Sequence, residues 1–236
     1  MDPEETSIVH FLKPVKISSG TLEALKWLGL LLMTLDHANR ILYQGSVIWA
    51  YELGRIAWPL FAFVFSYNYA QVEPFQPAFY HQSFGRLLLF GALATPPYMM
   101  MKSMDSLIPL NILFTLLAIG ACLYFYEEAR KINLLSIAIV LVAGVFVEYS
   151  WPGILLGLVF WAYCKKTSWL TLALAVLATA FLYVGNDNYW SLAALPIIFL
   201  APYIRIPVPR LRYLFWWFYP LHLIVLLLLR QLIYAR

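Results

Sequence analysis

Charge is what this sequence lacks most. Asp, Glu, Lys and Arg make up 12% of its 236 residues, against 63% hydrophobic residues. A soluble domain is roughly a quarter charged and about half apolar, so this deficit excludes one. No polar stretch beyond residues 1–23 is long enough to form a separate soluble unit. Cysteine is nearly absent. Cys122 and Cys164 both fall near helix ends predicted to face the cytoplasm, where a structural disulfide does not persist, and both read as small packing residues. No Gly-rich loop of the Walker type is present, which excludes P-loop phosphate chemistry. No serine sits in a nucleophile elbow. Metal-ligand spacing is also missing: His37 and His222 are the histidines deep in apolar runs, with Asp36 as a third candidate, and no metal is expected. A cleavable signal peptide is not expected either, because the N-terminus is acidic (Asp2, Glu4, Glu5) and no small-residue cleavage site follows the first apolar run. No internal repeat of the kind that marks many secondary transporters is visible.

What is there is a series of apolar runs, most of roughly the length a spanning helix needs. They cover residues 24–43, 51–71, 84–101, 108–126, 133–147, 151–164, 168–184, 189–203 and 212–231. The expected fold is an all-α polytopic membrane protein, a bundle of about nine transmembrane helices with no soluble domain. Residues 1–23 are a cytoplasmic N-terminal segment and 24–231 a single transmembrane domain. Basic residues mark alternate connections. Lys13, Lys16 and Lys26 flank the start of the first run, and Arg86 that of the third. Arg130 and Lys131 precede the fifth, Lys165 and Lys166 the seventh, and Arg205, Arg210 and Arg212 the ninth. The other connections carry Asp105, Glu148 and Asp187, with Lys102 as the exception. The positive-inside bias then puts the N-terminus in the cytoplasm. The net charge of +4 serves topology and not nucleic acid. Arg230 and Arg236 fit this scheme poorly, since an odd number of crossings leaves them outside. Trp49, Trp58, Trp151, Trp169, Trp190 and Trp216 lie at run ends, as an interfacial belt requires. Pro59 is expected to kink the second span, and residues 72–82 to form a short cytoplasmic loop.

Within the first run, Asp36-His37 stands out. An ionised carboxylate at mid-membrane costs about 2.5–3.5 kcal/mol on insertion scales. Adjacent residues point about 100° apart on a helix, so the two cannot face one spot squarely. Arg40 follows Asp36 at i,i+4, a spacing that permits a salt bridge. Arg55 opens the second span, and the short connection brings it within reach of Asp36; a snorkelling interface arginine is the alternative. Asn111 enters at a depth similar to His37, where it caps a helix or faces the site. Glu148 reads as an exposed loop residue. His222 lies deep in the last run, just after Pro220, where it either joins a site or bonds a carbonyl freed by the proline.

Four motifs occur in order: Met33-Thr34-x-Asp36-His37, Gly54-Arg55-x-x-x-Pro59-Leu60-Phe61-Ala62, Asn111-Ile112-Leu113-Phe114, and Tyr219-x-x-His222-Leu223. With Asn39 and Asn68 they resemble the TraX family over residues 24–230; Arg40 stands outside that pattern. The resemblance implies an integral protein of the bacterial inner membrane, linked to N-terminal acetylation of pilin subunits. It also implies a distant likeness to larger multi-spanning acyltransferases that carry acyl groups from cytoplasmic acyl-CoA to acceptors across the membrane. The expected donor is therefore acetyl-CoA, and the acceptor a pilin subunit or a small molecule bearing an amine or hydroxyl.

Given acetyl transfer, the residues supply roles. His37 has the pKa of a general base. Asp36 orients it, after the logic of the serine protease triad, or fixes Arg55. Arg55, Asn111 or His222 stabilises the oxyanion. Arg86, Arg205, Arg210 and Arg212 bind the phosphates of acyl-CoA or mark topology alone. Two rivals remain at this level: a proton-coupled transporter that uses the Asp-His pair, and a non-catalytic assembly protein.

Overall fold

In an apolar surrounding the backbone must satisfy its own hydrogen bonds, so apolar runs of this length become helices. The computed structural model describes residues 15–211 and 213–234. In chain order it contains α1 (Ser19–Leu42), α2 (Ile48–Gly54), α3 (Ala57–Ala70), α4 (Pro77–Lys102), α5 (Ile112–Ala129), α6 (Leu134–Phe146) and α7 (Ser150–Lys165). Next come α8 (Trp169–Phe181), the one-turn α9 (Tyr183–Asn186), α10 (Ala194–Leu200) between two short 3₁₀ turns, and α11 (Leu214–Tyr234). Among the described residues there is no strand, only one isolated parallel bridge between Leu110 and Val147. Among the described residues three stretches are long and apolar enough to cross a membrane: Ile112–Ala129, Trp169–Asn186 and Leu214–Tyr234. Leu134–Phe146 and Trp190–Tyr203 are apolar but shorter.

The surface is apolar where a soluble protein would be polar. On α6 only Ser136 and Gly144 are buried, and on α8 only Ala175 and Thr179. The large side chains of both helices, such as Leu134, Leu141, Leu170 and Leu177, point outward. Small and polar residues inside with aliphatic ones outside is the pattern of helices packing in lipid. Continuous exposed apolar area of this kind marks a membrane-facing surface.

Connections alternate between two ends of the bundle. At one end, called proximal here, Thr21 Oγ1 donates to Ile204 O, Glu23 accepts from Leu211 N, and Lys165 pairs with Glu73. At the other, distal end, Asn39 clasps Val47, Lys102 pairs with Glu148, and the Tyr234 hydroxyl donates to Leu42 O. α3 is the central helix, packed on α7 and α1 and touching α5 and α10. It carries the larger apolar cluster, which includes Leu60, Phe63, Ile154 and Phe160. α11 lies against both α4 and α1, and encloses a second cluster with Tyr98, Tyr219 and Leu223.

Two local expectations change, and one alternative is decided. The second span breaks at Arg55-Ile56, between α2 and α3. Pro59 lies four residues on, where its ring collides with the Arg55 carbonyl and it has no N–H to offer. The loop expected over 72–82 ends at Gln76, because Pro77 is tolerated in the first helical turn and starts α4. Of the two arginines offered to Asp36, Arg55 is the one it bonds.

Candidate functional site

α1, α2 and α3 meet at the distal end because Gly54 lets them. A Cβ on Gly54 would lie 2.5 Å from the Asp36 Cβ, so any larger residue would push α1 away. The approach brings the Asp36 carboxylate onto the Arg55 guanidinium, which donates through Nη2 to Oδ2. Arg55 is 8% exposed. Its Nε donates to Tyr51 O at 3.2 Å, its Nη1 reaches Asn186 Oδ1 at 3.5 Å, and the group lies 4.3 Å from the Tyr51 ring centroid. A buried charge needs such compensation, since the desolvation of each ion is worth several kcal/mol.

His37 faces away from this pair. Its Nδ1 lies 2.8 Å from His222 Nε2, and the rings are within 12° of parallel. His222 Nδ1 lies 2.8 Å from Phe218 O. A carbonyl only accepts, so His222 Nδ1 carries a hydrogen. In the neutral ring Nε2 is then an acceptor, and His37 Nδ1 donates to it. His37 is left with Nε2 as its free lone pair. The tautomer is thus set by a chain that ends on a backbone carbonyl, the service Asp36 was expected to give. The same chain corrects the role expected of His222, whose ring offers no free donor to an oxyanion. Nor is Phe218 O freed by Pro220: the missing N–H of a proline frees the carbonyl four residues earlier, which is Trp216 O.

His37 adjoins a cavity of about 500 Å³ at the distal end, lined by Asp36, His37, Arg55, Trp58, Glu148 and Tyr219 among others. Two elements missed at the sequence level shape it. Glu148, expected to be an exposed loop residue, is paired with Lys102 at 2.6 Å and its carbonyl accepts from Thr115. Tyr149 stacks on Trp58 with ring centroids 5.5 Å apart. The clue to Glu148 was Lys102, the main basic exception to the charge alternation among the connections at that end.

The remaining candidates lie elsewhere. Asn111 is fully buried and fully engaged: Oδ1 caps α5 through Leu113 N, and Nδ2 donates to Gly91 O and Thr95 Oγ1. It therefore has no donor left for an oxyanion, and the capping alternative holds. Asn39 ties the end of α1 to Val47, while Asn68 is exposed on α3. Arg205 and Arg210 are exposed at the proximal end. Arg86 lies one turn before Phe90, whose ring meets Trp216 and Trp217 near the start of α11. Arg212, Lys13 and residues 1–14 lie outside the described residues. Arg210 adjoins Leu211, which Glu23 binds; Glu23 is about 20 Å along α1 from His37 at 1.5 Å per residue.

Fold and site together define an all-helical membrane protein with a polar chamber, lined by ion pairs and a histidine, set between apolar cores. The chain belongs to the TraX family, whose model, described as TraX protein, matches residues 21–230. It is 26% identical over 234 residues to the probable fimbrial assembly protein FimC, serogroup H1, of Dichelobacter nodosus, covering 86% of this chain and 92% of that one. It is also 47% identical over 51 residues to Protein TraX of Escherichia coli (strain K12), a match covering 22% of this chain and 20% of that protein. No solved structure matches the chain.

Proposed function

We propose that this protein is an integral membrane acetyltransferase that moves an acetyl group from cytoplasmic acetyl-CoA to an amine or hydroxyl acceptor at its distal face. The acceptor class we favour is a pilin N-terminus. In this reading the nine apolar segments each cross the bacterial inner membrane, and the N-terminus is cytoplasmic. The observation that carries the reading is the chain from Phe218 O through His222 to His37, which leaves one oriented imidazole lone pair at the cavity.

The step balances as follows. The acceptor N–H or O–H gives its proton to His37 Nε2 as the heteroatom attacks the thioester carbonyl carbon. The His37 imidazolium is stabilised by His222 Nε2 through the Nδ1 hydrogen bond. The C–S bond then breaks, the proton passes from His37 to the leaving thiolate, and acetylated acceptor and CoA result. Arg55, held at the cavity by Asp36, supplies positive charge where the oxyanion develops. Arg86, Arg205 and Arg210, at the proximal end, suit the CoA phosphates, as does Arg212 by its charge. The donor's flexible arm would then follow α11, between α1 and α4, towards His37.

The test uses purified protein in proteoliposomes with acetyl-CoA and a peptide carrying a pilin N-terminus. His37→Ala should leave the unfolding temperature unchanged and lower transfer about a thousandfold, in the range of general-base catalysis. Near-normal transfer by this variant would sink the assignment. The name of the D. nodosus relative points to fimbrial assembly, and a second reading is a non-catalytic part in it. Under that role acetyl-CoA would not raise the unfolding temperature of the wild type, as a ligand of the folded state must.

A further inference from the structure

Two arginines at the distal end have no part in the proposed reaction. Arg40, near the end of α1, and Arg230, near the end of α11, line one cavity of about 560 Å³. This cavity adjoins the chamber beside His37, with Asp36, Arg40, Tyr51 and Met101 lining both. Both arginines are exposed to it. The acidic groups of the chamber are already matched, Asp36 with Arg55 and Glu148 with Lys102. Among the described residues, neither Arg40 nor Arg230 forms an ion pair or a side-chain hydrogen bond. Glu52, Asp105 and Asp187 belong to the same end, and none of them bonds either arginine. Topology does not account for the two charges, because the positive-inside bias disfavours cations at this end.

We infer that Arg40 and Arg230 bind an anionic group of the acceptor, a carboxylate or phosphate, and hold its nucleophile towards His37. The inference rests on the acetyl-transfer reading. Guanidinium forks match the oxygens of either anion. A surplus of positive charge around a partly enclosed cavity concentrates anions there. The same field repels a protonated amine, so the acceptor presents a hydroxyl, or an amine in its neutral form, beside an acidic group. That acidic group is either the headgroup phosphate of a lipid entering sideways or part of an acceptor that is not a lipid, such as the soluble part of a pilin subunit.

The probes are inorganic phosphate, and short-chain phosphatidylglycerol against short-chain phosphatidylcholine. Each is titrated into the full-length protein in neutral detergent, with the unfolding temperature as readout. In the wild type, phosphate or phosphatidylglycerol should stabilise and phosphatidylcholine should not. The half-saturating concentration should rise at least about tenfold, or roughly 1.4 kcal/mol, in R40Q/R230Q. It should return towards wild type in R40K/R230K and stay unchanged in K131Q, a substitution of an exposed lysine at the proximal end. Stabilisation by phosphate points to an anionic acceptor that is not a lipid, and stabilisation by phosphatidylglycerol alone to a lipid headgroup; both support the site. Equal binding by R40Q/R230Q and wild type overturns it, as does stabilisation by phosphatidylcholine equal to that by phosphatidylglycerol. The two hypotheses fail separately. If His37→Ala still transfers acetyl groups while anion binding depends on Arg40 and Arg230, the catalytic reading falls and the anion site stands.

Discussion

At the proximal end Glu127, 5% exposed, is closed in by Lys165 and Arg130, and Lys165 reaches on to Glu73. At the distal end Asp36 and Arg55, and Lys102 and Glu148, are paired just as closely, but around a cavity of about 500 Å³. The residue types are the same and the surroundings differ. The proximal network ties the loop before α4 to the facing ends of α5 and α7, and its charges answer one another. The distal pairs leave room between them, with His37 at its edge and, in the adjoining cavity, Arg40 and Arg230, which form no ion pair among the described residues. Ion pairs that close on themselves hold helices together; ion pairs around a space prepare a field for something that enters it.

The difference can be broken most forcefully at Arg55. Arg55→Gln leaves Asp36 buried without its partner and should destabilise the protein by about 3–5 kcal/mol, read as a lowered unfolding temperature in detergent. Adding Asp36→Asn should restore part of the loss, while transfer stays low in both variants. An Arg55→Gln protein as stable as wild type would mean that the pair does not hold α1 to α2.

His222→Phe comes next. It removes the acceptor that sets the His37 tautomer, so transfer should fall about a hundredfold, with the unfolding temperature little changed. The pH dependence of transfer should change with it, because the imidazolium loses its partner. A fall in rate with an unaltered pH profile would demote His222 to packing.

Glu127→Gln tests the proximal end, where the expected loss is about 1–3 kcal/mol of stability. Transfer per folded molecule should stay at the wild-type rate. A large fall in rate would break the contrast between a structural end and a reactive one.

Glu73→Gln should do least. Its hydrogen bond to Lys165, followed by the Lys165 charge, holds the Glu73 carboxyl below its usual range. A lowered folded pKa adds stability above the ordinary carboxylate range and loses it as the pH falls through the lowered value. Glu73 is solvent-exposed, so screening keeps the contribution small. The variant should therefore melt slightly below wild type at neutral pH and together with it in strong acid. A clear difference in strong acid would mean that Glu73 holds the loop by something other than its charge.

Much of the fold was legible because its signals are local. Length and composition mark each apolar run as helix, and the helices fall on those runs to within a few residues except at α4. There Pro77, read as loop, starts a helix of 26 residues. The candidate site was legible only as a set of costly residues. Asp36, His37, Arg55 and His222 stood out because ionisable groups in apolar runs need a reason. Their pairing was legible only in part: Arg55 was expected within reach of Asp36, but as one of two arginines. The i,i+4 spacing offered Arg40 to Asp36, and the arginine that took it belongs to the next helix. Adjacency offered Asp36 to His37, and the partner came from the last helix instead. Glu148 and Lys102 were missed as a pair because each looks ordinary within its own segment.

The sequence by itself determined that the chain is helical, apolar on its outer surface and a TraX family member. These properties depend on composition, period and short motifs that each segment carries alone. The tertiary structure decided which charges neutralise each other, which nitrogen of His37 is free, and that Asn111 is a cap. Those outcomes depend on distances of about 3 Å between segments far apart in the chain. The close approach permitted by Gly54 and the seat of α11 between α1 and α4 set those distances, and no spacing along the chain encodes them.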